Sequence, residues 1–118
     1  MTDDEFKNKF RYATVLRDEG SFSDAVTVLK ELVIERPEEK SSWVVLGHIY
    51  WEQKALLEAT DCFKKAICLD PFLEIASLGL YHTLWSSGLR EEALEEMKRF
   101  MQISQSDEYE ALLQAFKL

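Results

Sequence analysis

His48 and His82 stand 34 residues apart, and each is followed three residues later by a tryptophan, Trp51 and Trp85. An imidazole and an indole at that spacing share one face of a helix. The two pairs therefore describe an aromatic surface carrying two hydrogen-bonding groups. Two histidines alone make an incomplete zinc site, so no metal is expected. Cys62 and Cys68 lie six residues apart. On one helix they would face different ways, about 9 Å apart along its axis, too far for a disulfide. They read as free thiols of a reducing cytoplasm. Glu91, Glu92, Glu95 and Glu96 form an acidic run. At a helix start such carboxylates are stabilised by the helix dipole, and a solvated helix start accounts for them better than an acid–base pair. Asp3, Asp4 and Glu5, then Glu38 and Glu39, have the same reading. The sequence has no Gly-rich phosphate loop, no Cys/His metal cluster and no serine in a nucleophile elbow. Neither enzymatic activity nor a cofactor is expected.

The elements that hold these residues are helices. With 47% hydrophobic residues, four glycines and two prolines in 118 residues, the chain is long enough for one domain with a contiguous core. It is also too poor in turn residues for a many-stranded fold. Seven amphipathic segments have helical periodicity, near residues 5–19, 22–35, 39–53, 56–69, 73–87, 90–103 and 107–117. Gly20 and Gly88 stand where a helix end needs a left-handed residue, and Lys54 fills that slot between them. Short connections predict antiparallel hairpins. No linker divides residues 1–118, so a single domain is expected. Twenty-two acidic against fourteen basic residues leave a formal charge of −8, which repels phosphate backbones and anionic headgroups. Neither nucleic acid nor membrane is an expected partner. The acidic start Met1-Thr2-Asp3-Asp4-Glu5 is not the pattern of a signal peptide, and no segment approaches the length of a membrane span.

The segments repeat. Ala25, Ala59 and Ala93 are 34 apart, as are Pro37 and Pro71, the length of one stacking helix–turn–helix unit. Between Lys40 and Leu73 the chain carries Trp43, Leu46, Gly47 and Tyr50, then Ala59, Phe63, Ala66 and Pro71. This pattern resembles the tetratricopeptide repeat at all eight signature positions. Gly47 and Ala59 are small enough for two helices to approach closely, and the large residues fill the space between hairpins. The flanking repeats, 6–39 and 74–107, are weaker. The first keeps Ala25 and Pro37. The third keeps Ala93 but puts Tyr81 and Phe100 at small sites and Gln105 in place of proline. Either a wider helix pair accommodates Tyr81, or Gly79 is the close-contact residue. Tyr109, Leu112, Leu113 and Phe116 form a stripe in 107–117 suited to capping the last hairpin. The expected fold is an all-α tetratricopeptide-repeat solenoid of three antiparallel helix hairpins and a capping helix.

In that family the first helix of each repeat lines a concave groove. The resemblance places Lys7, Phe10, Thr14 and Arg17 there, then Ser41, Val44, His48 and Trp51, then Ile75, Leu78, His82 and Trp85. Of these, Phe10, Thr14, Arg17, Val44, His48, Trp51, Leu78, His82 and Trp85 are the candidate peptide-binding residues. One subclass of the family grips carboxylate tails of chaperones with a Lys/Asn/Asn/Lys/Arg clamp. The matching positions hold Phe10, Thr14, Val45, Ile75 and Gly79, and none can serve. The expected function is a non-enzymatic, cytoplasmic protein–protein interaction module that binds an amphipathic helix or apolar peptide. It would act as a small adaptor or as a chaperone similar to those of bacterial secretion. The alternative is an acidic, immunity-type inhibitor of a basic enzyme, acting through Glu91, Glu92, Glu95 and Glu96. Exposed stripes also leave room for self-association.

Overall fold

Three turns close in the same way at the repeat interval. Gly20, Lys54 and Gly88 take φ values of 80°, 62° and 81°. Their N–H groups donate to the carbonyls of Arg17, Trp51 and Trp85 at 2.9, 3.0 and 3.1 Å. The residues that follow, Ser21, Ala55 and Leu89, donate to Leu16, Tyr50 and Leu84 at 2.8, 2.8 and 2.9 Å. This double closure ends a helix when the residue beyond its C-cap turns left-handed. Glycine does so freely, whereas lysine is strained by about 1 kcal/mol.

The computed structural model describes residues 1–116, which form seven helices. These are α1 (Asp3–Asp18), α2 (Phe22–Glu35), α3 (Lys40–Glu52), α4 (Leu56–Leu69), α5 (Glu74–Ser86), α6 (Arg90–Ile103) and α7 (Asp107–Phe116). No strand occurs among the described residues. Each helix lies within two residues of its expected place; residue 117, expected to end the last one, lies outside the described residues. Thr2 starts α1 by accepting the Glu5 N–H, with Asp3, Asp4 and Glu5 in the first turn, where the helix dipole favours carboxylates. Helices α1–α2, α3–α4 and α5–α6 pair as hairpins, and α2 on α3 and α4 on α5 stack them into a body 49 × 26 × 20 Å.

One ring joins the second and third hairpins. Phe63 of α4 is fully buried. A Cβ added at Gly47 would come within 3.0 Å of its ring, and one at Gly79 within 2.5 Å. Two glycines thus let α3 and α5 close on a single aromatic side chain. Of the two readings of the third repeat, the close contact falls on Gly79. Tyr81 is buried differently: it stacks on Trp85 at 5.8 Å and meets Tyr109 edge-on at 5.7 Å, so its bulk is taken up beneath α7.

Glu96 departs from the expectation of a solvated acidic run. Glu91, Glu92 and Glu95 are exposed, but Glu96 is buried. Its carboxylate accepts two hydrogen bonds from Arg99, at 2.8 and 2.6 Å, and one from the Ser77 hydroxyl at 2.7 Å. Ser77 also bonds the Tyr109 hydroxyl at 2.8 Å, and Arg99 donates to the Pro71 carbonyl. The physical reason is helical spacing. Glu96 lies three residues from Ala93 and four from Phe100, both buried, so it shares the inward face of α6 rather than the solvated one. A buried carboxylate requires such partners, and here they tie α5, α6 and α7 together.

Candidate functional site

Helices α1, α3 and α5, the first of each hairpin, lie side by side, with α3 touching both α1 and α5, and form one inner face. It holds a cleft of about 360 Å³ between α3 and α5. His48 and Trp51 make one wall; Ile75, Leu78 and His82 make the other. Phe63 and Gly79 form the floor, and Glu108 of α7 stands at the rim. The floor follows from the packing just described, because the absence of a side chain at Gly79 leaves the Phe63 ring at the bottom of the cleft. The spacing that put His48 three residues before Trp51 also works physically, since both side chains reach the cleft from one stripe of α3, His48 half-buried and Trp51 exposed.

His48 lies edge-on to Phe63, with ring centroids 5.1 Å apart. Its Nε2 is buried and has no hydrogen-bond partner among the described residues. Burial, and secondarily the positive charge of Arg17, hold its pKa below the ordinary imidazole value, so the neutral ring is favoured at neutral pH. His82 is exposed and packs edge-on to Tyr81 at 5.2 Å.

The nine expected groove residues divide. His48, Trp51, Leu78 and His82 meet in the cleft. Phe10 and Thr14 line a neighbouring hollow of about 410 Å³ with Lys7 and Arg11. Arg17 borders a third, smaller hollow beside His48 and Glu52. Two residues belong elsewhere. Val44 is buried in a cluster with Ala66 and Ala76; these small residues let α4 and α5 close over it, so it offers no side chain to the groove. Trp85 is stacked between Tyr81 and Phe116, the latter at 5.6 Å and 17°, with the Arg90 guanidinium over its ring. It serves the docking of α7. Glu108 is missing from the expected set, and the repeat does not supply it: carried past α6, the period makes Tyr109 the counterpart of the groove residue Ile75, and Tyr109 is buried.

Elsewhere the described residues hold no group of three or more His, Cys, Asp or Glu able to bind a metal. No described helix is long and apolar enough to cross a membrane. Cys62 is buried and Cys68 exposed, and both are free thiols. Burial pushes the Cys62 pKa up to about 12, which keeps it protonated and unreactive.

Residues 41–72 match the family model described as tetratricopeptide repeat. No curated protein matches the chain in sequence. Among solved structures it is similar to a mutant form of MamA, with a TM-score of 0.78 and 21% identity, covering 89% of this chain and 77% of that one. The Yersinia enterocolitica type III secretion translocator chaperone SycD superposes with a TM-score of 0.82 at 16% identity, over 97% of this chain and 87% of the other. A chain of the CopN–Scc3 complex gives 0.85 at 14% identity, with 95% and 66% covered. Of two further MamA chains, this chain spans 58% and 54%. At such identities the likeness is one of fold: stacked antiparallel helix hairpins closed by a capping helix.

Proposed function

We propose, from the premise that this chain is a tetratricopeptide-repeat protein, that it is a non-enzymatic protein-binding module holding an apolar or amphipathic peptide segment on its inner face. The observation that carries this reading is the cleft between α3 and α5. Its volume, about 360 Å³, fits one large aliphatic or aromatic side chain within the usual range for binding pockets. Its walls are almost wholly apolar or aromatic, and a tryptophan at the mouth is a frequent source of interface energy. SycD is named as a translocator chaperone, and its likeness in fold supports a small chaperone or adaptor as the form such binding takes. Two free thiols are in keeping with the reducing cytoplasm, the compartment we propose. Binding of a basic enzyme through the acidic outer face gains no support: Glu96 is engaged internally, and Lys64, Arg90 and Arg99 stand among Glu91, Glu92 and Glu95.

The test uses a photo-crosslinking amino acid in place of Ile75 on the cleft wall, with exposed Leu57 of α4 as the control site. Crosslinks from position 75 and not 57 are expected. The captured segment, made as a peptide, should bind the Trp51→Ala variant about tenfold more weakly, the loss of one interface anchor. Trp85 is no substitute, because its removal loosens α7. Capture from position 57 alone, or binding indifferent to Trp51→Ala in a folded variant, rejects the groove.

A further inference from the structure

The inner face carries opposite charge at its two ends, and these charges are not consumed by internal ion pairs. Among the described residues, Glu108 is the one carboxylate or basic side chain in the wall of the α3–α5 cleft, and His48 is held towards its neutral form. At the far end the hollow beside α1 is lined by Lys7 and Arg11, with Glu39 as the single carboxylate. Arg17, Arg36, Lys40 and Arg99, by contrast, are engaged in ion pairs. Glu108, Lys7 and Arg11 take part in none among the described residues. All three are exposed, so a ligand can reach them.

We propose that the segment held on this face is itself polarised. An apolar anchor fills the cleft, a lysine or arginine beside it faces Glu108, and an aspartate or glutamate lies under Lys7 and Arg11. This rests on the reading of the inner face as a peptide site and adds the partner's charge pattern and direction. Spacing follows from the helices. Ser41 and His48 mark the two hollows on α3, about 10 Å apart along its axis. With one interhelical step across, the separation is roughly 14 Å, or four to five extended residues. Charges placed this way orient a partner and reject the reversed one more than they add affinity.

Selection of displayed random peptides against the wild-type chain and the Glu108→Lys variant tests this, with circular dichroism confirming that both are folded. Wild-type selection should enrich sequences with a basic residue next to an apolar anchor and an acidic residue four to five positions away. Glu108→Lys should reverse the first preference. For a selected peptide, changing the basic residue to glutamate should weaken binding roughly threefold to tenfold, and Glu108→Lys should restore it. Lys7→Glu with Arg11→Glu should remove the acidic preference alone. Peptides that need Trp51 but show no charge bias overturn the polarity while leaving the groove standing. A charge bias that survives Glu108→Lys overturns the assignment to Glu108. Peptides indifferent to Trp51→Ala overturn both readings.

Discussion

Lys54 is the residue at which local physics and repeat geometry conflict. Its φ of 62° is set by the same closure that glycine makes at positions 20 and 88. Lys54→Gly should therefore raise stability by about 1 kcal/mol, read as an increase in the urea midpoint with an unchanged slope. His48 makes a second residue-scale prediction. Its folded pKa lies below the ordinary value of 6.5, so on acidification the unfolded chain takes up the proton first. The contribution of neutral His48 is complete above pH 6.5 and declines as pH falls from there through the folded pKa. Unfolding midpoints measured between pH 7.5 and 5 should fall more steeply for the wild type than for His48→Gln. Arg17 from α1 and Glu52 from α3 are the charges that bear on it. The left-handed slot of Lys54 was legible in the sequence, because backbone geometry repeats with the period. The shifted pKa of His48 was not, since it depends on how deeply neighbouring helices cover one ring.

At the scale of elements, α7 shows how far a period can be extended. Tyr109 falls at the repeat position of Ile75, which is exposed, yet Tyr109 is fully buried. The capping helix is thus turned relative to a true repeat helix. It is held by Trp85–Phe116 stacking and by the Tyr109–Ser77–Glu96–Arg99 network. Its own start is capped by Ser106, which accepts the Tyr109 N–H. Arg99→Met leaves the Glu96 carboxylate buried without its main partner, which should cost about 2–3 kcal/mol. Adding Glu96→Gln should recover part of that loss. A double-mutant cycle on unfolding free energies measures the coupling. The seven helices and their ends were readable because periodicity and turn chemistry are local. The burial of Glu96 was misread because a run of four glutamates reads as solvated, although helical spacing gives its last member the face of Ala93 and Phe100.

Across the whole molecule, a repeat position has the value its neighbours give it. Leu46 and Ile49 pack against the preceding hairpin and are 2% and 0% exposed. Tyr12 and Val15 hold the same positions one repeat earlier and are 57% and 45% exposed, since no helix of the described chain precedes α1. Leu46→Ala and Ile49→Ala should each cost about 2–4 kcal/mol. Tyr12→Ala and Val15→Ala should stay within about 0.5 kcal/mol, as thermal or urea unfolding of the four variants would show. The chain by itself determined the helices, their pairing and the repeat, because short connections and a 34-residue period leave few ways to stack hairpins. It also determined the stripe that holds His48 and Trp51. Only the tertiary structure decided which stripe residues stay free. Val44 is closed over by α4 and α5, Trp85 is covered by α7, and Glu108 is brought to the rim of a cleft some sixty residues from His48 in sequence. Helical period places a side chain on a face, but whether that face meets solvent or another helix is decided by elements distant in the chain.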